Sequence, residues 1–400
     1  MGTHNVGRVG ELLEASRRDG PIIEILEATA AEDHEAFPSA LPAKREQGWA
    51  AWVTIQLGCD NSCAFCIVPS VRGPEISRAF GDVVAEVERA AADGVTQVTL
   101  LGQNVNSYGR DLTLRMKRGA DADATSHIDA AHLDAAHVDA AHLVGDAWVA
   151  EGTDRARPLF ADLLRSVGEV EGIRRVRYTS PHPKDLRPET ISAMADVDTV
   201  CEHLHLPLQS GSDRILATMH RGYTAERYLE RLAAARAGVA DLAVTTDIIV
   251  GFPGESDADF AETLEVAAEA RYDNAFTFVY SSRPGTEAAD LPDAVAHDVA
   301  VERMMRLRTV VERTSRLGHV ARIGHTEEVM VEGPSRRDPS RLSGRTRHNR
   351  LIHFPSDRPL RPGTYAHVLV TEASTTNLIG ELVEIVATPN HRRRIPVSLA

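Results

Sequence analysis

Cysteine is scarce in this chain, with four in 400 residues, and that scarcity excludes a disulfide-stapled extracellular scaffold. No apolar run reaches the roughly 18 residues of a membrane span, so no transmembrane helix is expected. The opening Met1–Val6 has neither the basic nor the apolar segment of a signal peptide. Val6 also stands where a myristoylation signal needs Ser or Thr. These absences point to the cytoplasm, with no membrane partner. Positive charge is short too: 44 Lys and Arg face 58 Asp and Glu, a net charge of −14, which argues against a general nucleic-acid binder. Hydrophobic residues make up 43%, ample for a buried core in two or three domains.

Three of the four cysteines share one loop, Gly58-Cys59-Asp60-Asn61-Ser62-Cys63-Ala64-Phe65-Cys66. Thiolates at CxxxCxxC spacing can hold three corners of a [4Fe–4S] cube, whereas an electron-transfer cluster takes four cysteines. The open iron can chelate S-adenosylmethionine through its amine and carboxylate, poising it for one-electron cleavage to a 5′-deoxyadenosyl radical. Zinc is the rival, because it takes Cys and His in a closed tetrahedron. The loop offers no fourth ligand, although a remote His or Cys201 can supply one. With Phe65 before the third cysteine the run reads CxxxCxΦC, and here the chain resembles the radical S-adenosylmethionine superfamily.

From Ala51 to about Tyr280 short apolar runs alternate with amphipathic stretches. The pattern predicts strands at Ala51–Leu57, Gln97–Leu101, Arg174–Thr179, Glu202–Leu206, Ala243–Val250 and Ala275–Tyr280. Helices are predicted near Gly81–Ala92, Leu159–Val170, Glu189–Ala195, Ala225–Ala237, Ala258–Ala270 and Ala296–Leu317. Such alternation implies an α/β fold with a parallel sheet and right-handed crossovers. The resemblance implies a partial (β/α)6 barrel, with chemistry at the carboxyl ends of its strands.

Polar or turn-forming residues follow four of the predicted strands: Gly102-Gln103-Asn104, Ser180-Pro181-His182-Pro183, Gln209-Ser210-Gly211-Ser212 and Gly251-Phe252-Pro253-Gly254-Glu255. Any one reads as a turn; together they make a polar rim beside the cysteine loop. In order along the chain, these segments and Cys63–Gly73 resemble the motifs of the methylthiotransferases, and within them the tRNA 2-methylthio-N6-dimethylallyladenosine synthases. The resemblance covers nearly the whole chain except residues 111–157. It implies that Gln103 and Asn104 hold the methionyl amine, that Gln209 and Ser210 lie near the ribose, and that the adenine packs on the strand carrying Ile249 and Gly251. Gly254 shifts the acid Glu255 by one place from the superfamily pattern.

Residues 325–388 read as five short strands, Glu328–Glu332, Leu342–Arg345, Leu351–Phe354, Ala366–Val370 and Leu378–Val386, which predict a small β-barrel. This segment resembles the TRAM RNA-binding domain. Between Gly333 and Gly363 lie eight arginines against two aspartates. Arg341, Arg345, Arg347 and Arg350 are the expected grip on an RNA phosphate backbone, with a merely solvated basic face as the alternative. Residues 111–157 interrupt the core and carry a five-residue repeat, His127-Ile128-Asp129-Ala130-Ala131 and its echoes at His132, His137 and His142. A period of five turns each His about 140° from the last on a helix, which disfavours a metal site and suggests a low-complexity surface loop.

The family resemblance implies methylthiolation at C2 of N6-dimethylallyladenosine next to the tRNA anticodon, with an electron donor such as flavodoxin or ferredoxin. It also implies a second [4Fe–4S] cluster held by three cysteines of an amino-terminal domain. Those cysteines are missing from this sequence, and residues 1–45 resemble the tail of that domain, so a truncated chain with impaired sulfur insertion is expected. Residues 46–320 would form the radical core and 389–400 a tail. The other readings are a zinc-stabilised, non-catalytic RNA-binding protein, or a sister methylthiotransferase acting on threonylcarbamoyl-adenosine or a ribosomal-protein aspartate. The Gln103-Asn104 and Ser180–Pro183 segments disfavour the sisters.

Overall fold

A computed structural model describes residues 9–20, 47–125, 140–151 and 156–390. Six parallel strands build the core: β1 (Ala50–Thr54), β2 (Gln97–Leu101), β3 (Arg175–Tyr178), β4 (His203–His205), β5 (Ala243–Val250) and β6 (Asn274–Val279). They lie in chain order as two three-stranded sheets, which a parallel bridge between Val176 and Val200 joins. Against them pack α1 (Phe80–Ala92), α2 (Phe160–Gly168), α3 (Pro188–Asp196), α4 (Ala225–Gly238), α5 (Asp257–Ala270) and α6 (His297–Val320).

The period-two pattern of each strand sends one set of side chains toward the helices. Val53, Leu100, Val176, Leu204, Val244 and Ile248 are fully buried there, with Val83, Leu164, Tyr228 and Phe260 from the helices. Each such side chain stabilises the fold by about 1.5–3 kcal/mol. α5 starts directly after the rim segment because Ser256 and Asp259 form a capping box, satisfying donors that the first turn leaves free.

Residues 111–157 are not simply a surface loop. A helix at Arg110–Thr125 buries Leu112 and Thr113, and short helices follow at Ala140–Val144 and Asp146–Glu151. Val144 joins the core cluster and Trp148 packs on it. His142 contacts Asp82 at 3.1 Å; His127, His132 and His137 lie outside the described residues.

After α6 come β7 (Thr326–Pro334), β8 (Arg341–Thr346), β9 (Leu351–Pro355), β10 (Tyr365–Ala373) and β11 (Leu378–Ala387). They close into a barrel in the order β8-β9-β11-β10-β7 around Val329, Val331, Ile352, Phe354, Val368 and Leu378. This barrel docks at the amino ends of the core strands. Arg175, at the start of β3 and with no exposed side-chain surface, binds the Glu328 carboxylate at 2.9 Å and the Arg345 carbonyl at 2.8 Å. Arg177 donates to the Thr346 and Arg347 carbonyls. From the β8–β9 turn, Arg347 forks onto Glu202 and Arg350 reaches Asp273.

Candidate active site

The cysteine loop leaves the carboxyl end of β1 through a short antiparallel pairing of Gln56–Leu57 with Ile76–Ser77. Gly58 enters the loop at φ 70°, where an added Cβ would stand 1.9 Å from the Pro74 carbonyl oxygen, so only glycine passes. Ala64 is held from two directions: its N–H donates to the Met219 carbonyl and its carbonyl accepts from the Ala288 N–H. Cys59, Cys63 and Cys66 are free thiols, each half-buried. Burial pushes the Cys59 thiol up, and the neighbouring Cys63, Glu75 and Cys66 add to the rise. The buried Arg221 guanidinium lies 3.2 Å from Cys63 Sγ and donates to the Tyr223 hydroxyl. Among the described residues no three His, Cys, Asp or Glu side chains converge on a single-ion site.

The rim segments gather around this loop. Phe65, beside Cys66, packs against the same buried cluster, Ala64 with Ile215, Met219, Phe252 and Ala288, as Ile249 and Tyr280 from the ends of β5 and β6. Ser180 and Gln209 take left-handed backbone at φ 61° and 69°, a conformation that non-glycine residues adopt at a cost and that clusters at functional sites. Gln209 Oε1 and the Tyr280 hydroxyl are buried without a partner. Burial, then Arg221, Lys184 and Arg231, drive the His182 pKa down to about 2, so its ring is neutral; Nδ1 accepts from the Lys184 N–H.

The six cofactor residues expected from sequence divide. Gln103 is half-buried, Gln209 is buried with its Oε1 unpartnered, and Ile249 packs on the cluster that includes Ala64 of the cysteine loop. Asn104 is buried, with its amide bonded to Asp185 at 2.7 Å and to the His182 N–H. Ser210 faces Thr263 on α5. Gly251 donates its N–H to Glu255, and Ala300 fills the space where its Cβ would sit. Glu255 itself pairs with Arg303 at 2.8 Å, so the shifted acid braces the β5–α5 turn.

The profile of the radical SAM superfamily matches residues 53–267, and that of the TRAM domain residues 320–383. A tRNA-2-methylthio-N(6)-dimethylallyladenosine synthase 1 of Mycobacterium marinum is 45% identical over 97% of this chain and 69% of its own. The synthase of Streptomyces griseus is 43% identical over 95% of this chain and 67% of its own. This chain belongs to the tRNA-2-methylthio-N(6)-dimethylallyladenosine synthase family of radical SAM proteins. A third relative, from Mycobacterium avium, is 45% identical, and the chain spans 48% of its length. Among solved structures, methylornithine synthase is 12% identical, covering 66% of this chain and 63% of that one at a TM-score of 0.38, too low to carry weight.

A radical SAM cluster fits the donor set: three soft thiolate ligands on one loop, free of disulfides and backed by a guanidinium that offsets part of their charge. Sequence reading missed Arg221, which stands 158 residues from its cysteine, and Tyr280, whose hydroxyl the pattern of a strand end does not mark. The four arginines expected on RNA are largely engaged within this family member. Arg347 and Arg350 lie in the seam described above, Arg345 faces Glu332 at 3.4 Å, and Arg341 faces Asp338 at 3.4 Å. Arg336, Arg337, Arg358 and Arg361 are the exposed members of the run.

Proposed function

We propose that the chain performs radical methylthiolation at C2 of N6-dimethylallyladenosine beside the tRNA anticodon. The observation that carries this reading is the packing of Ala64 and Phe65 of the Cys59–Cys66 loop in one cluster with Ile249 and Tyr280 from the carboxyl ends of β5 and β6. Cys59, Cys63 and Cys66 are the ligands of a [4Fe–4S] cluster that, when bound, supplies the electron cleaving S-adenosylmethionine to the radical that takes hydrogen from C2. Gln103 and the unpartnered Gln209 Oε1 offer polar contacts for the amine and ribose. Ile249 and Phe65 give the adenine an apolar wall. Asn104, Ser210 and Gly251 hold the rim in shape. Arg221 offsets the Cys63 thiolate and keeps His182 neutral.

Exposed Arg336, Arg337 and Arg358 on the TRAM barrel supply phosphate contacts, and the adenosine leaves its stack to reach the rim. A flavodoxin or ferredoxin donates the electron. Sulfur must come from outside the described site: Cys201, the remaining cysteine, is 2% exposed beneath the seam, and no other cysteine is present to hold a second cluster.

Separate assays of 5′-deoxyadenosine and methylthiolated RNA test the reading. Reconstituted protein with dithionite is expected to make the first on its own, and the second once an outside sulfur donor is supplied. A cluster-loaded protein that yields no 5′-deoxyadenosine contradicts it; abundant methylthiolated RNA without an added sulfur donor contradicts the external source of sulfur.

A further inference from the structure

The face of the core sheet opposite the helices carries three large aromatics that stand exposed among the described residues. Trp52 on β1 is 69% exposed, and Phe276 and Phe278 on β6 are 53% and 50% exposed. These strands are the two edges of the sheet: β1 pairs with β2 alone and β6 with β5 alone. The aromatics therefore flank the opening of the partial barrel. Register ties them to the candidate site. Phe278 pairs with Ile249, which packs on the cluster that includes Ala64 of the cysteine loop, and Phe276 pairs with Asp247 one step further from the rim. Trp52 shares a row with Thr99 and Arg177.

The floor between the edges is polar. His205 meets the Phe276 ring edge-on at 6.2 Å and faces Asp247 at 3.4 Å, while Arg177 approaches Gln97. Exposed aromatics cost free energy in water, and a strand on an open edge invites aggregation unless something occupies it. Flat rings above a floor of hydrogen-bonding groups match a planar base with an apolar substituent. The rings can stack on its face, and Asp247 can accept from its N6–H.

We infer that Phe276 and Phe278, with Trp52 opposite, form the seat for the extruded adenine and its N6-dimethylallyl group. Asp247 and His205 read the base edge. The seat rests on the substrate reading above and names the residues that would discriminate the modified base. Its position continues directly from Ile249, so a base seated there lies beside the cofactor wall.

The test measures affinity for two anticodon stem-loop RNAs, with and without the dimethylallyl group, by fluorescence anisotropy of the full chain. The wild type is expected to prefer the modified RNA. Phe276→Ala and Phe278→Ala are each expected to reduce that preference about tenfold, with Phe278→Trp restoring it and thermal melting unchanged because both rings are exposed. A wild-type preference that survives both alanine variants overturns the seat while leaving the substrate reading intact. If the wild type makes 5′-deoxyadenosine yet shows no preference, the seat falls and the radical chemistry stands. Alanine variants that alter self-association and not RNA preference would make this a protein-covering face, which also overturns it.

Discussion

The two ends of the core sheet use polar residues in opposite ways. At the amino end, Arg175, Arg347 and Arg350 are matched to Glu328, Glu202 and Asp273, and the closed barrel sits against them. At the carboxyl end, Gln209 Oε1 and the Tyr280 hydroxyl are buried without partners, and three free thiols stand together on one loop. A buried polar group left unsatisfied costs about 1–3 kcal/mol. Unpartnered atoms remain at the seam too, on Arg174 and Arg350, but each of those guanidiniums keeps a carboxylate; at the carboxyl end a ligand that completes Gln209 and Tyr280 recovers the cost.

Breaking each end separately sharpens the contrast. The largest effect belongs to the carboxyl end: Cys63→Ser is expected to abolish 5′-deoxyadenosine formation and lower iron content, with the melting temperature of the apoprotein little changed. At the amino end the sign of the damage reverses. Arg175→Ala leaves Glu328 without its buried partner and is expected to cost about 3 kcal/mol, read as a lower denaturation midpoint in urea.

A third pair of variants separates docking from RNA binding. Reversing Arg336, Arg337 and Arg358 to Glu is expected to weaken tRNA binding and lower its salt slope by roughly one per lost phosphate contact, with stability unchanged. Arg347→Glu faces Glu202 with like charge, and its main effect is expected on stability. Equal salt slopes in the wild type and the triple variant would remove the exposed arginines from the interface.

The smallest effect is a pH dependence of opposite sign at the two ends. Burial, aided by Arg221, Lys184 and Arg231, lowers the His182 pKa to about 2. Below the ordinary value near 6.5 the unfolded chain takes a proton that the native ring refuses, so acid removes stability by up to about 1.4 kcal/mol per pH unit. For His348 at the seam, burial favours neutrality, but Asp241 and Glu327 outweigh it and raise the pKa. Its contribution is complete below about 6.5 and is lost as pH rises through the folded value. His182→Asn is therefore expected to flatten the fall in melting temperature between about pH 6.5 and 5, and His348→Asn the fall on the alkaline side.

Much of this fold was legible because hydrophobic alternation is a local signal. β2 and β5 fall at Gln97–Leu101 and Ala243–Val250 as the pattern predicts, and all five strands of the closed barrel coincide with predicted runs. The cysteine loop was legible because its three thiols lie within one stretch of chain. The seam was not. Arg347 meets Glu202 across 145 residues of sequence and Arg177 reaches Arg347 across 170, so a run of arginines reads as an RNA surface until its carboxylate partners are seen. The helix at Arg110–Thr125 escaped notice because only Leu112, Thr113 and Met116 anchor it before the Ala and Asp-rich stretch begins.

The claim beneath all of this is that the thiol loop carries an iron–sulfur cube with one corner open to S-adenosylmethionine. Electron paramagnetic resonance of the anaerobically reconstituted, dithionite-reduced chain tests it most directly. The account predicts a reduced-cube signal, about one per chain, whose shape changes when S-adenosylmethionine is added. A signal indifferent to S-adenosylmethionine, or no signal from protein carrying stoichiometric zinc, would contradict it.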